Sequence, residues 1–396
     1  MILKKQILWL HKWLGLISGI VILIVSLTGC IYVFQDELKL VVYPEKYFIS
    51  HPTLETKSTI ALSKLIAIAE KNLNPGEKIS RVDIFPQKDR TWVFRATKTN
   101  KKAFFYTDYF TYNKRVFINP YLGTVQQIEN TKTEFFQIVL QLHMNLLLGK
   151  KYGHVIIGFS TLFFSLICIS GFFLWWPKKW KPKNIKQHFS IKFSAKPKRL
   201  NYDLHNVLGF YVLPWALLFC FTGLVFAFPV FKKGVNNSLN TLDTKKKNLI
   251  VQLDSIPQKT TNTLDNGLYY VLSKHAQADQ YSIRLQEEKS EPHDIQVRLD
   301  KNRTGNFYRF YFDQKSGQID NMKTSANLQL GGKITSMNYD LHTGTFGGLT
   351  TKFLAFFAAL ICASLPVTGF IIWLNKSKKE RKNNKLKKEA ASTLSF

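Results

Sequence analysis

Leu10-His11-Lys12-Trp13-Leu14-Gly15 opens an apolar run ending near Phe34, and Leu204-His205-Asn206-Val207-Leu208-Gly209 opens another ending near Val230. In both, a glycine follows the histidine by four residues, and a Thr-Gly pair (Thr28-Gly29, Thr222-Gly223) follows by seventeen and eighteen. A second phrase is also repeated. Leu142-His143 precedes a run ending in Gly171 and Trp175-Trp176, and Leu341-His342 precedes one ending in Gly369 and Trp373. The pattern predicts an internal duplication that carries four matched histidines at the ends of membrane spans.

Working outward, the apolar residues of this 396-residue chain gather in four runs, at 13–34, 154–176, 206–230 and 353–374. Each is nearly free of charge and exceeds the roughly 20 residues that cross a hydrocarbon core about 30 Å thick. The expected fold is a four-transmembrane-helix bundle with two α+β modules between spans. The boundaries expected are a lead and first span at 1–34, a first module at 35–140, an interfacial segment and second span at 141–176, and a basic loop at 177–204. A third span at 205–230, a second module at 231–340, a fourth span at 341–375 and a basic tail at 376–396 complete the chain.

A net charge of +29 suggests nucleic acid until it is mapped. Lys4, Lys5 and Lys12 accompany the first span, nine basic and no acidic residues lie between Lys178 and Arg199, and eight basic against two acidic fill Lys376 to Glu389. With alternating helices all three fall on one side, the positive-inside pattern. Both termini are then expected in the cytoplasm, and both modules outside the inner membrane. The charge is a topology signal, and no nucleic-acid partner is expected. The first run is too long for the apolar core of a signal peptide. Leu27-Thr28-Gly29-Cys30 looks like a lipoprotein cleavage box, but the repeated Thr-Gly explains it without processing.

Cys30, Cys168, Cys220 and Cys362 lie one per span and form no Cys-x-x-Cys, which excludes a redox dithiol and Cys-x-x-Cys-His haem attachment. They read as small apolar residues in packed or lipid-facing helices. No glycine-rich phosphate loop follows a strand, and no Ser-His-Asp or metalloprotease spacing is visible.

In the first module, Leu62 to Leu73 reads as a helix stopped by Asn74-Pro75-Gly76, followed by strands at 81–85, 91–97, 103–107, 115–118 and 124–128. An amphipathic helix over 133–148 carries His143, and Gly149 and Gly153 allow a bend before the second span. In the second module, 231–262 reads as loosely ordered, a helix is expected over 264–275, and strands are expected at 281–285, 294–299 and 307–313. The tail after Asn375 reads as disordered.

A single histidine at a span end is most simply an interfacial hydrogen-bonding residue. Four in matched positions are not. Pairing His11 with His205 and His143 with His342 gives two bis-imidazole sites, suited to the axial positions of two b-type haems. Gly15 and Gly209, one helical turn from the ligands, would clear room for a porphyrin. Zinc would want more ligands, commonly a carboxylate or thiolate. His154 is an alternative outer ligand or a residue behind one. His51, His188, His275 and His293 lie in polar segments and read as surface histidines.

These phrases, with Trp175-Trp176-Pro177 and the turn Asn119-Pro120-Tyr121-Leu122-Gly123, resemble the PepSY-associated transmembrane proteins over about residues 8–376. The resemblance implies PepSY-like periplasmic modules on a haem-holding bundle. It further implies kinship with ferric-siderophore reductases of the ferrioxamine type, which take electrons from a cytoplasmic or quinol donor and reduce a ferric chelate outside the membrane to free Fe(II). Tyr106, Tyr109, Tyr112, Lys114 and Arg115 are candidate contacts with an anionic chelate, a solvated hairpin being the plainer reading. The rival function is a non-catalytic membrane module that binds a periplasmic peptide or protein. A transporter is disfavoured by the lack of charge within the spans.

Overall fold

The computed structural model describes residues 2–49, 58–243, 255–288, 290–301 and 305–393. His51 lies outside them. The chain divides into two compact units, one of Met1–Ile31, Val155–Ala227 and Phe353–Phe396, the other of Tyr32–His154 and Phe228–Lys352.

Four helices are long and apolar enough to cross a membrane: Ile2–Val33, Lys150–Trp175, Pro197–Ala227 and Thr345–Arg381. Only 22–33% of each apolar window is buried within the protein, so most of the apolar surface requires lipid rather than water around it. Where these helices meet, the contact residues are small: Cys168, Ala216, Cys220, Ala358 and Cys362 cluster with Val212. Small side chains let helix backbones approach, the main source of cohesion where lipid competes with leucine for apolar contact. All four cysteines are buried, and the Cys30 thiol donates to the Phe356 carbonyl at 3.6 Å.

Two regions differ from the expected loops. The basic stretch between the second and third spans holds short helices at Pro182–Phe189 and Pro197–Asp203, each with proline in its first turn, where the missing N–H costs nothing. The tail forms no separate coil. Its lysine, glutamate and alanine residues are good helix formers, and they extend an already nucleated helix, Gly348–Thr393.

The second unit is built on one eight-stranded antiparallel sheet. The first half supplies β1 (Ile79–Ile84), β2 (Trp92–Thr99), β3 (Phe110–Ile118) and β4 (Val125–Asn130). The second supplies β5 (Gln280–Arg284), β6 (His293–Arg298), β7 (Phe307–Phe312) and β8 (Ile319–Thr324). The order β4-β3-β2-β1-β5-β6-β7-β8 makes two four-stranded meanders joined through β1 and β5. The two expected modules therefore share a sheet.

They also share a core. Val82, Phe94, Val116, Ile283, Ile295 and Phe310 point to one face, where Leu62 and Leu65 of helix Leu62–Lys71 and Leu268 and Val271 of helix Thr263–Lys274 cover them. Asp265 ties the two helices together, accepting from the Ser63 N–H at 2.9 Å and its hydroxyl at 2.5 Å. The halves repeat in detail. In the β3–β4 hairpin Asn119 Oδ1 accepts from the N–H groups of Tyr121 and Leu122, and in the β7–β8 hairpin Asp313 Oδ1 accepts from those of Lys315 and Ser316. Gly123 and Gly317 close the two turns at φ +71° and +68°, the left-handed region that glycine enters freely.

Two expectations fail here, and one strand was not expected. Residues 103–107 are not a strand, because their backbone serves other partners: the Phe104 carbonyl accepts from Gly149 N at 2.6 Å, and Tyr106 N donates to Leu147 O at 3.0 Å. The start of 231–262 is ordered as helix Pro229–Thr241, whose Asn240, with Asp243 beyond it, accepts from the first N–H groups of helix Leu330–Ser336. Residues 244–254 lie outside the described part. β8 was missed because Ile319–Thr324 carries little apolar alternation; as the outermost strand it buries few side chains.

Gly149 and Gly153 also allow close packing. A Cβ at Gly149 would overlap the Ala103 carbonyl, and one at Gly153 would overlap that of Asn145.

Candidate functional site

His11 lies in the regular helix Ile2–Val33. His205 lies in a π-helical turn, Leu204–Leu208, inside the third span. Such a widened turn rotates the side chains that follow and is common at functional sites. The two rings stand edge-on to one another, with centroids 6.3 Å apart and planes at 89°.

Each ring is held by the neighbouring helix of its own half. His11 Nδ1 lies 3.0 Å from Ser170 Oγ, and His205 Nδ1 lies 2.9 Å from Thr368 Oγ1. The direction of these bonds follows from proton counting. The Ser170 hydroxyl donates to Ile167 O at 3.0 Å, and that of Thr368 donates to Ser364 O at 3.0 Å. A hydroxyl has one proton, so toward the ring it accepts. With the hydroxyls donating to those carbonyls, both imidazoles carry their proton on Nδ1 and leave Nε2 with a lone pair, the orientation found in metal-bound histidines.

Glycines make room for these rings. A Cβ at Gly171 would stand 3.3 Å from His11 Cε1, and one at Gly369 would stand 3.1 Å from His205 Cε1. The sequence pointed to the terminal Gly171 and Gly369 without giving them this task. Ser170 and Thr368 were missed; the only available signal was a hydroxyl residue preceding the glycine in both copies. Of the glycines expected to clear room, a Cβ at Gly15 would meet nothing within 4 Å, and one at Gly209 would touch only Leu365 Cδ2 at 3.7 Å.

The second pair lies in the sheet-bearing unit. His143 sits near the end of helix Phe135–Asn145 and His342 near the end of Asn338–Thr343, with centroids 6.0 Å apart and planes at 71°. Both helices stop on left-handed residues: Leu146 and Leu147 (φ 54° and 56°) after His143, and Gly344 (φ 75°) after His342. Two leucines in that region cost about 1–2 kcal/mol each, and strain of this kind concentrates where geometry matters. Desolvation, and after it the charge of His143, pushes His342 down to about 3, so that imidazole is neutral at ordinary pH.

The spacings can be tested against a shared metal. An imidazole nitrogen binds a metal at about 2.0–2.1 Å and the ring centre lies about 1.1 Å behind it, so two imidazoles on opposite sides of one ion have centres about 6.2–6.4 Å apart. Both pairs come within a few tenths of an ångström of that value. No group of three or more His, Cys, Asp or Glu side chains converges among the described residues. Two nitrogens per site suit an ion whose remaining positions are filled by a macrocycle.

The other candidates are placed as follows. His154 is the fifth residue of helix Lys150–Trp175. His275 packs on Tyr308 at 4.4 Å, His293 Nδ1 accepts from Gln286 N at 3.1 Å, and His188 lies against Trp175. Tyr106 donates to Lys132 O, Lys114 pairs with Glu77 at 2.7 Å, and Arg115 pairs with Glu129 at 3.3 Å. The candidate chelate contacts are thus largely engaged within the module.

Four apolar helices joined to an antiparallel α+β unit, with paired histidines in each, define a multi-pass membrane protein of the PepSY-linked type. Residues 8–376 match the family model described as the PepSY-associated TM region, and the chain belongs to that family. No curated protein matches the chain.

Proposed function

We propose that this protein is a haem-b reductase of a bacterial inner membrane, passing electrons across the bilayer to a ferric siderophore or similar chelate and releasing Fe(II). The observation that carries the reading is the paired histidines, two sets with ring centres 6.3 and 6.0 Å apart, one with both Nδ1 atoms within hydrogen-bond distance of a hydroxyl. His11 and His205 would hold one haem and His143 and His342 a second. Haem bound there would supply reversible one-electron transfer.

The protein's own residues have defined tasks in this reading. Ser170 and Thr368 fix the tautomer of the first pair, and Gly171 and Gly369 admit the rings. The surroundings of His342 keep it neutral and able to ligate. Siderophores hold Fe(III) through hard oxygen donors and Fe(II) far less well, so one electron suffices to free the metal. The reading includes cytoplasmic termini, a cytoplasmic or quinol electron donor, and descent by internal duplication, which fits the matched hairpins and histidine settings of the two halves.

The test is the reduced-minus-oxidised spectrum of detergent-purified protein with haem quantitation. About two b-haems per chain, reoxidised by a ferric siderophore, are expected, with one lost in His205→Ala and the other in His342→Ala. A haem-free protein after haem-sufficient expression would overturn the reading and leave the sheet unit as a peptide- or protein-binding module.

A further inference from the structure

On the sheet face opposite the two covering helices, Val93 and Phe117 pack with Tyr47, and beside them the face carries a row of charged side chains. Following the pairing register, Arg115 of β3 stands opposite Arg95 of β2, Arg95 opposite Arg81 of β1, and Arg81 opposite Arg284 of β5. Four arginines thus form an unbroken row across the adjacent strands β3, β2, β1 and β5, spanning the seam between the halves. Glu129 continues the row at one end and Asp294 at the other. Like charges directly opposite each other in a sheet are destabilising, so such a row needs an anion to offset it.

The protein supplies part of that anion. Buried Asp83 pairs with Arg95 at 2.5 Å and with Arg81 at 3.1 Å, and Glu129 pairs with Arg115. Asp294, beside Arg284 on the next strand, is taken instead by Arg309 in a two-pronged contact at 3.1 and 2.7 Å. Arg284 is left half-buried between Arg81 and Arg309, with no carboxylate at ion-pair distance among the described residues. A guanidinium so placed presents its donor fork to a carboxylate or phosphate.

We propose that this arginine row is a binding site for a small polycarboxylate, centred on Arg284. Adjacent strands lie about 4.8 Å apart, so neighbouring guanidiniums match carboxylate arms separated by about that distance. The positive stretch covers four strands, about 14 Å, and is closed by an acidic residue at each end. That limited length suits a compact, multiply charged ligand and would repel the ends of a long acidic chain. Joined to the reductase reading, on which only the bound metal depends, the row is where a carboxylate-type iron chelate docks.

The experiment is calorimetric titration of the full-length, detergent-purified protein with iron-free citrate, ferric citrate and inorganic phosphate. Citrate in both forms is expected to bind, at least tenfold more weakly to Arg284→Gln, and without change to Lys64→Gln, which removes an equal charge from an exposed position on the opposite face. Arg284→Lys, which keeps the charge and loses the fork, should give an intermediate affinity and guards against misfolding of the glutamine variant. No citrate binding, phosphate binding as tightly as citrate, or equal losses in Arg284→Gln and Lys64→Gln would each overturn the proposal. A haem-free protein that still binds citrate through Arg284 would sink the reductase reading and leave this site standing.

Discussion

Thr368→Val tests the first histidine pair most directly. Valine has nearly the shape of threonine, so the helix packing persists while the hydroxyl 2.9 Å from His205 Nδ1 disappears. The Nδ1–H would then be left without its acceptor on a half-buried ring, at a cost of about 1–3 kcal/mol. At 1.36 kcal/mol per factor of ten, haem affinity should fall roughly 5- to 150-fold, in line with the 10- to 100-fold typical of residues behind a metal ligand. Competition against a haem-scavenging protein measures this, and Thr368→Ser should restore affinity because the accepting oxygen returns. The oxidised spectrum should also broaden as the ring loses its fixed orientation. Affinity and spectrum unchanged in Thr368→Val, with Ser170→Ala equally silent, would refute the tautomer argument.

Two further outcomes are expected. The Asp83 carboxyl is held at about 2 against an ordinary 3.8, because Arg95, Arg81 and Ser282 together outweigh a large desolvation penalty. A carboxylate lowered in the folded state stabilises fully above its unfolded value, so about 2–2.5 kcal/mol of stability should be lost as pH falls from 3.8 toward 2. Thermal unfolding across that range should show the slope in the parent and flatten it in Asp83→Asn, which should also be less stable at neutral pH; parallel profiles would contradict the assignment. Gly153→Ala and Gly15→Ala form a contrasting pair. The first drives a Cβ to 2.6 Å from the Asn145 carbonyl carbon and should destabilise by about 1–3 kcal/mol. The second meets nothing within 4 Å and should leave unfolding unchanged while lowering haem content, and a drop in its unfolding temperature would count against the clearance role.

The sequence by itself determined what local physics enforces. Runs of uncharged apolar residues longer than a bilayer must become helices, because an unpaired peptide group has no partner in hydrocarbon, and the four spans were legible for that reason. The repeated Leu-His phrases also pointed to which histidines would pair, since matched positions in matched helices lie at matched depths. Local signals placed the helices beginning at Leu62 and Thr263, whose apolar faces recur with helical period.

Tertiary structure decided the rest. Nothing local in Arg81 or Arg284 tells that β1 and β5 lie edge to edge, because hydrogen-bonded register is a property of two distant segments. The arginine row exists only after that pairing. Ser170 and Thr368 look like ordinary helix residues whose hydroxyls bond back to the preceding turn; their second role appears when a ring from another helix reaches the remaining lone pair. Residues 103–107 alternate like a strand, yet their carbonyls and N–H groups are claimed by Leu147 and Gly149 from a segment some 40 residues away. The helix over Pro229–Thr241 was hidden because its polar residues, Asn240 among them, gain their value by capping a helix that begins 90 residues later. In each case the deciding energy is a hydrogen bond or charge contact between segments far apart in sequence, which composition and periodicity do not encode.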